Sequence, residues 1–173
     1  KTNTPMGKRL INNWIEMPLI SIPAITRRQN AVCELVSDIE TRDKIIDLLR
    51  NVRDIERLVT RIIYKTVNAK ELISLRSTLA NMPDIKRLTS SFNCEMLQTV
   101  NKDIDELSDV YTLLNEALDD DPPAVLREGK LIRRGYDEEI DRNYNDMKNG
   151  KEIVRQIEER ERERTGVKKL TVK

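Results

Sequence analysis

Apolar residues recur at helical spacing through almost the whole chain, and strand-like alternation is confined to its last few residues. Between residues 5 and 91, wide apolar stripes are separated by prolines and polar residues, which predicts a series of packed helices. Thr4 and Pro5 supply an N-cap hydroxyl followed by proline at the first helical position, and Asn68 is a second predicted N-cap. We therefore expect an all-α fold that begins with a cluster of helices.

The apolar stripes become narrower in the second half of the chain. A first narrow stripe, with alternating steps of three and four, consists of Leu97, Val100, Ile104, Leu107, Tyr111, Leu114 and Leu118. A second one, in a segment without proline, consists of Tyr136, Ile140, Tyr144, Met147, Val154 and Ile157. Such narrow stripes are typical of a seam between two helices. They predict a long antiparallel arm built from helices over residues 93–118 and 137–164.

The end of the sequence predicts a change of structure. Thr165 and Gly166 form a candidate left-handed helix C-cap, and residues 170–172 alternate like a strand. This divides the chain into a helical core over residues 1–128, an arm over 129–165 and the start of a strand over 166–173. We expect the strand to continue in a longer protein. The arm would then lack its partner here, leaving part of its stripe exposed and favouring fraying or weak self-association.

Gly129 and Gly135 bracket a short passage that is predicted to be extended and to direct the arm. Within it, Arg133 and Arg134 have two interpretations. They belong to the solvated surface, which is the favoured interpretation, or they contact a phosphate.

Composition limits both the core and the candidate partners. The chain has 173 residues, of which 38% are hydrophobic, 3% aromatic and 35% charged. The length fits one domain, or one domain with a projecting arm. The fractions predict a modest core built mainly from leucine, isoleucine and valine. The single tryptophan, Trp14, is predicted to anchor this core. The net charge is +1, with acids and bases interleaved. A DNA-binding module normally carries a basic excess, so any DNA contact is expected to be peripheral.

The sequence contains no recognisable catalytic or metal-binding motif. It has no histidine, and its two cysteines, Cys33 and Cys94, are isolated, which argues against zinc and favours reduced thiols. The acidic run at residues 119–121 is interpreted as a helix stop made of solvated charge rather than a Mg²⁺ or Ca²⁺ site. The charges of residues 54–61 are interpreted as solvated ion pairs rather than an acid–base pair. No catalytic residue and no cofactor are assigned, and the chain by itself is not expected to be an enzyme.

Location was inferred from the same sequence. No apolar run approaches the ~18 residues that a membrane span requires. The start of the sequence has no secretory pattern. We therefore expect a cytoplasmic protein without membrane contact.

Four separated blocks, in the same order along the chain as in the family, resemble one protein family. The blocks LIRRGYDEEID at residues 131–141 and ERERERTGVK at residues 159–168 are similar to the lever region of bacterial MutS mismatch-repair proteins. The block TPMG at residues 4–7, followed by Arg9, Leu10 and Trp14, resembles the start of the same domain, and DPP at residues 121–123 resembles its middle. One departure is Lys8, where the family pattern has a second glycine. The resemblance covers essentially the whole chain.

The resemblance implies a non-catalytic connector, domain III of a DNA mismatch-recognition ATPase. In this family the lever couples a DNA clamp to an ATPase domain, so ATP and Mg²⁺ are expected in the full-length protein rather than in this chain. The expected partners are DNA, the other MutS domains and a second copy in a full-length homodimer. Lys168, Lys169 and Lys173 lead towards the clamp and are the weak candidates for a DNA backbone contact. The alternative is a helical coiled-coil spacer or adaptor without a DNA role.

Overall fold

Nine α-helices make up most of residues 2–123 and 129–167, which are the residues described by the structure, a computed structural model. They are α1 (Pro5–Glu16), α2 (Ile22–Ser37), α3 (Ile39–Arg50), α4 (Ile55–Ile63), α5 (Ala69–Leu79), α6 (Met82–Thr89), α7 (Glu95–Asp103), α8 (Ser108–Ala117) and α9 (Glu138–Thr165). An isolated antiparallel bridge joins Leu118 and Ile132. The predicted helical character is confirmed for these residues. The strand predicted at residues 170–172 lies outside them.

Local polar groups start the helices where the sequence predicted. Thr4 Oγ1 accepts a hydrogen bond from the Gly7 amide at 3.0 Å, and Pro5 occupies the first position of α1. At α5, Asn68 and Glu71 form a reciprocal capping box in which each side chain accepts a hydrogen bond from the other residue's amide at 2.9 Å. Both bonds satisfy amides that have no partner inside the helix.

A carboxylate from another helix caps the start of α7. Glu34, on α2, accepts hydrogen bonds from the amides of Asn93 at 2.6 Å and Cys94 at 2.8 Å. Hydrogen bonds to the Glu34 carboxylate lower its pKa. The largest contribution comes from the Cys94 thiol and smaller ones from these two amides. Burial and the neighbouring carboxylate raise the pKa of the Cys94 thiol. Cys94 and Cys33 are both free cysteines, as expected, although Cys33 is exposed.

The core is small and lies in two adjoining parts. In one, α5 packs against α4 and α8, and the buried residues Leu58, Leu75 and Leu79 are surrounded by the half-buried Met82, Val110, Tyr111 and Leu114. In the other, α2 and α6 each pack against α3 and α7. The modest aliphatic core predicted from composition is therefore confirmed within the described residues.

The apolar residues of α4 and the tryptophan of α1 are less buried than the core residues. The wide stripe of α4 packs mainly against α5, and Val59, Ile62 and Ile63 are exposed. Trp14 was expected to anchor the core, but α1 contains no buried residue and Trp14 is half-buried. The Arg28 guanidinium lies 3.6 Å from the centroid of the indole ring. A cation–π contact therefore covers the tryptophan in place of core side chains.

The prediction of one helix over residues 93–118 is also wrong, because the chain breaks between α7 and α8. Ile104 is extended, and Leu107 adopts a left-handed conformation with φ of 48°. Asp105 Oδ1 accepts a hydrogen bond from the Leu107 amide at 3.0 Å, a local bond that competes with helical pairing. The two halves then pack on different neighbours, α7 on α2 and α6 and α8 mainly on α5. They do not form the first half of an antiparallel arm.

The long helix predicted for the second half of the arm is confirmed as α9. Asp137 caps its first turn, and Gly166 ends it with φ of 70°. Its 28 residues extend about 42 Å at about 1.5 Å per residue. None of them is buried, and Met147 is 62% exposed and Ile157 44% exposed. Part of the stripe is thus exposed, as expected. Self-association through it remains a prediction that sedimentation analysis would check.

No helix in the described part of the chain combines the length and the apolar character needed to cross a membrane.

A buried threonine joins α5 to the segment that precedes α4. Thr78 is fully buried, at 0% exposure. Its Oγ1 donates to the Ser74 carbonyl at 2.9 Å and accepts from the Arg53 amide at 3.1 Å. Because a buried amide without a partner is costly, this hydroxyl helps to hold the segment between α3 and α4 against α5.

We expect Thr78→Val to lower the free energy of unfolding by about 1–3 kcal/mol, since the shape is kept while the Arg53 amide loses its partner. Urea unfolding measures this difference. The matched control is Thr60→Val on α4, where an exposed hydroxyl makes only the local bond to the Glu56 carbonyl at 2.8 Å. Equal losses in both variants would contradict a special role for Thr78.

Candidate functional site

The connection between the helical core and α9 contains several polar contacts that join separate segments of the chain. We call it the elbow and define it as residues 117–121 and 129–137. Backbone hydrogen bonds pair its two passages: the Asp119 amide donates to the Leu131 carbonyl at 3.1 Å, and the Arg133 amide donates to the Ala117 carbonyl at 2.8 Å. They flank the bridge noted above, whose Leu118 is buried. The extended passage predicted before the arm, between Gly129 and Gly135, is therefore confirmed. These hydrogen bonds attach it to the end of α8.

Glycines allow the turns at both ends of this passage. Gly129 has φ of 69° and Gly135 has φ of 85°, in the left-handed region where a side chain is strained. The Gly135 amide donates to Asp141 Oδ2 at 2.8 Å. This bond joins the turn to the first turn of α9.

One carboxylate oxygen connects the elbow with the core. Asp120 Oδ1 lies 2.9 Å from the Arg133 guanidinium and 3.0 Å from the guanidinium of Arg76, on α5. The Arg133 Nε also donates to the Leu118 carbonyl at 3.2 Å. The acidic run was interpreted as solvated charge, and Asp120 is 76% exposed at its side chain. It nevertheless makes two specific ion pairs, which the sequence interpretation missed.

The neighbouring arginine connects the elbow with α9. The Arg134 guanidinium lies 3.8 Å from the centroid of the Tyr144 ring. It also donates to Asn145 Oδ1 at 3.1 Å and lies 3.6 Å from Asp141 Oδ1. The Asp141 carboxylate thus contacts both Arg134 and the Gly135 amide. Tyr144 belongs to the second narrow stripe and is half-buried beneath the guanidinium.

The sequence interpretations of the arginine pair did not include contacts within the chain. Arg133 and Arg134 both make such contacts, while their side chains remain 39% and 49% exposed. A contact with a phosphate stays a prediction. The spacing of Arg134 and Tyr144 offers no local signal, because the contact depends on the turn at Gly135. The Asp120–Arg76 pair is likewise separated by 44 positions.

A groove of about 620 Å³ lies between the elbow and α9. Its lining includes Leu131, Ile132, Ile140, Tyr144 and Met147. Arg134 is also a lining residue and contacts Tyr144 on the α9 side of the groove.

The charges around the start of α4 form ion pairs, as the sequence predicted. Arg9, on α1, makes two hydrogen bonds to Asp54 at 2.7 and 2.8 Å and a further ion pair with Glu56. Arg57 lies 3.4 Å from Asp54. The hydrogen bonds from Arg9 are the main cause that lowers the pKa of Asp54, and the two carboxylates raise the pKa of Arg9. A general base needs a pKa raised towards neutrality, so the direction of the shift argues against acid–base catalysis here.

The lysines proposed to contact DNA, Lys168, Lys169 and Lys173, lie outside the described residues. Within residues 2–123 and 129–167, no group of three or more cysteine, aspartate or glutamate side chains is placed to hold a metal ion.

Comparison with known proteins identifies the family. Residues 1–171 match the family model described as MutS domain III. Over 172 residues, or 99% of this chain, it is 42% identical to the DNA mismatch repair protein MutS of Caldicellulosiruptor bescii and 44% identical to that of Clostridium kluyveri. The MutS of Clostridium botulinum is 42% identical over the same length. The chain belongs to the MutS domain III family, which confirms the resemblance seen in the sequence.

The chain spans about a fifth of the length of these relatives, 20% of the first two and 18% of the third. The match extends through the loops as well as the helices. Shared helical periodicity, the basis of the spacer or adaptor alternative, does not account for it.

The ion pair between α1 and α4 leads to a prediction about pH. Asp54 has a pKa below its ordinary value of 3.8, so its contribution to stability is present above that value and is lost as the pH falls through the lowered pKa. We expect Asp54→Asn, which can still cap α4, to be less stable than the wild type at about pH 7. The difference should shrink as the pH is lowered below about 3.8.

Denaturant unfolding across this pH range measures the difference. The control is Asp47→Asn, which removes a 2.7 Å ion pair with Arg50 within α3. Exposed pairs inside one helix contribute little, so this control should lose less stability. A loss for Asp54→Asn that does not change with pH would show that the charge is not the source of its effect.

Proposed function

We propose that this chain is the connector and lever segment of a DNA mismatch-recognition ATPase, and that it takes part in mismatch repair as one piece of that longer protein. The observation that carries the proposal is the match to MutS domain III over residues 1–171. The shape of the chain supports it, because a compact helical cluster is joined to one long helix through a short, heavily bonded elbow.

A lever must transmit displacement without bending. A single uninterrupted helix of 28 residues meets this requirement, since its backbone hydrogen bonds run continuously along its length. A rotation of about 15° at its base moves the far end of a helix of about 42 Å by roughly 10 Å. Small changes in the core are thereby converted into large movements at the tip of α9.

Catalysis and cofactor binding are assigned to parts of the longer protein outside this chain. No phosphate-binding loop motif occurs in the sequence, and there is no histidine to act as a base. We propose that ATP and Mg²⁺ bind elsewhere in the full-length protein and that its DNA contacts and homodimerisation involve those other domains. The cytoplasmic location expected from the sequence is part of the same proposal.

A weak DNA backbone contact is proposed for Lys168, Lys169 and Lys173. These residues follow the C-cap of α9 at Gly166, at the end of the lever that would approach the clamp. Lysines there would neutralise phosphates without reading sequence or mismatches.

The lever role can be tested in a chimaera in which this chain replaces the corresponding segment of the Clostridium kluyveri MutS. We expect the chimaera to support repair, measured as a low mutation frequency in cells that lack their own MutS. Glu152→Pro, in the middle of α9, should kink the helix and raise the mutation frequency. Purified Glu152→Pro chimaera should still bind mismatched DNA and hydrolyse ATP, but mismatched DNA should no longer alter its ATPase rate.

The matched control is Glu152→Ala, which keeps the helix and loses only the side chain that pairs with Arg155. It should behave like the unmodified chimaera. Normal coupling in the Glu152→Pro chimaera would contradict the lever role.

The isolated chain tests the assignment of chemistry to other domains. We expect no ATP hydrolysis and no preference for a mismatched over a matched duplex. Any DNA binding should be weak, and changing Lys168, Lys169 and Lys173 together to glutamine should reduce the slope of log affinity against log salt by up to about 3. Fluorescence anisotropy at several salt concentrations gives this slope. Mismatch discrimination by the isolated chain, or an unchanged slope, would contradict this division of roles.

A further inference from the structure

The direction of α9 has to be determined at its base. This helix has no buried residue, and none of the other helices packs extensively against it in the described part of the chain. The contacts of the elbow and of the first two turns of α9 therefore contribute to its orientation relative to the core.

We propose that two linked arginine contacts in the elbow act as an electrostatic joint that fixes the angle between α9 and the helical core. The outer contact is Arg76–Asp120–Arg133, and the inner contact is Arg134 with Tyr144 and Asp141. The mechanical significance of the joint rests on the lever role proposed above.

The inner contact fixes α9 to the elbow. Arg134 lies before the turn at Gly135, whereas Tyr144 and Asp141 lie on α9, so the stack and the ion pair close a loop across that turn. Asp141 also accepts a hydrogen bond from the Gly135 amide, and this bond limits rotation of the turn itself. Three contacts of different geometry, a ring face, a carboxylate and a backbone amide, therefore oppose motion in different directions.

The outer contact fixes the elbow to the core. Arg76 belongs to α5, follows the buried Leu75 in the sequence and has a side chain only 14% exposed, so the core limits its position. Asp120 Oδ1 holds both this guanidinium and that of Arg133. Removal of the carboxylate leaves two positive groups facing each other, and like charges at this separation repel.

The two contacts are joined through consecutive residues, because Arg133 belongs to the outer one and Arg134 to the inner one. The path from α5 to α9 thus consists of side chains with planar, directional guanidinium groups. A change in the position of Arg76 is passed to α9 through one peptide bond. This arrangement makes the direction of α9, which is about 42 Å long, sensitive to the position of α5 in the core.

The test measures the distribution of distances between the core and α9 by double electron–electron resonance. Spin labels are placed on the exposed Lys70 of α5 and the exposed Asn149 of α9, each replaced by cysteine, with Cys33 and Cys94 replaced by serine. Asn149 lies only three turns into α9, so fraying at the far end does not reach the label. We expect a single narrow distribution for the chain with an intact joint.

Variants of each contact should broaden this distribution roughly twofold or more, because the stack or the bridging carboxylate is lost. The inner contact is removed by Tyr144→Leu and the outer one by Asp120→Asn. Tyr144→Phe keeps the ring face and should retain the narrow distribution. Arg155→Gln, which removes ion pairs within α9 itself, should also leave it unchanged.

Circular dichroism establishes that each variant retains its helices. If Tyr144→Leu loses helicity, Arg134→Lys, which keeps the charge and removes the planar stack, replaces it in the same comparison. The joint is refuted if the wild type is as broad as the variants, or if Tyr144→Leu and Asp120→Asn leave the distribution narrow.

The measurement is independent of repair activity. If this chain gives a narrow distribution and the Glu152→Pro chimaera keeps normal coupling, the lever role is refuted and the joint is retained. A broad wild-type distribution with a functional chimaera would refute the joint alone.

Discussion

Asp120 Oδ1 bridges a core helix and the passage that leads into α9. It accepts from Arg76 at 3.0 Å and from Arg133 at 2.9 Å, and it brings together groups that are far apart in sequence. The next residue, Arg134, continues the connection to Tyr144. No residue of α9 is fully buried, and these polar contacts contribute to its placement.

The same principle extends through the rest of the chain, since a composition with 35% charged and 3% aromatic residues supports only a small core. Helices that share little apolar surface are joined by polar groups that satisfy one another. Thr78 Oγ1 accepts a hydrogen bond from the Arg53 amide, and Glu34, on α2, caps the start of α7. Asn101, on α7, donates to Thr89 Oγ1, on α6, at 2.8 Å. Each contact supplies a partner to a polar group that would be costly to leave unpaired.

This construction is consistent with the connector role proposed above. Directional polar contacts define angles between helices, whereas a small apolar core permits sliding. The charged residues that first suggested acid–base chemistry, around Asp54, are paired with Arg9 and serve to attach α1. In a member of the MutS domain III family, such charges are expected to maintain the shape through which the longer protein couples its parts.

Features that depend on neighbouring residues were determined by the sequence itself. The start of α1 at Thr4, the capping box of α5 and the whole length of α9 follow from side chains within four positions of the atoms they contact. The family blocks were also recognisable without a structure. The passage between Gly129 and Gly135 was predicted because glycine permits the left-handed backbone that such turns require.

Other features were decided only by the tertiary structure. The helical period of residues 93–118 continues through the break before Leu107, so periodicity could not reveal it. Trp14 could not be distinguished from a core residue without knowing that Arg28 covers its ring. The joint at Arg133 and Arg134 depends on Asp120, Arg76 and Tyr144, which the fold brings together. A local pattern specifies which helix a residue occupies, but an ion pair between distant positions exists only after the chain has folded.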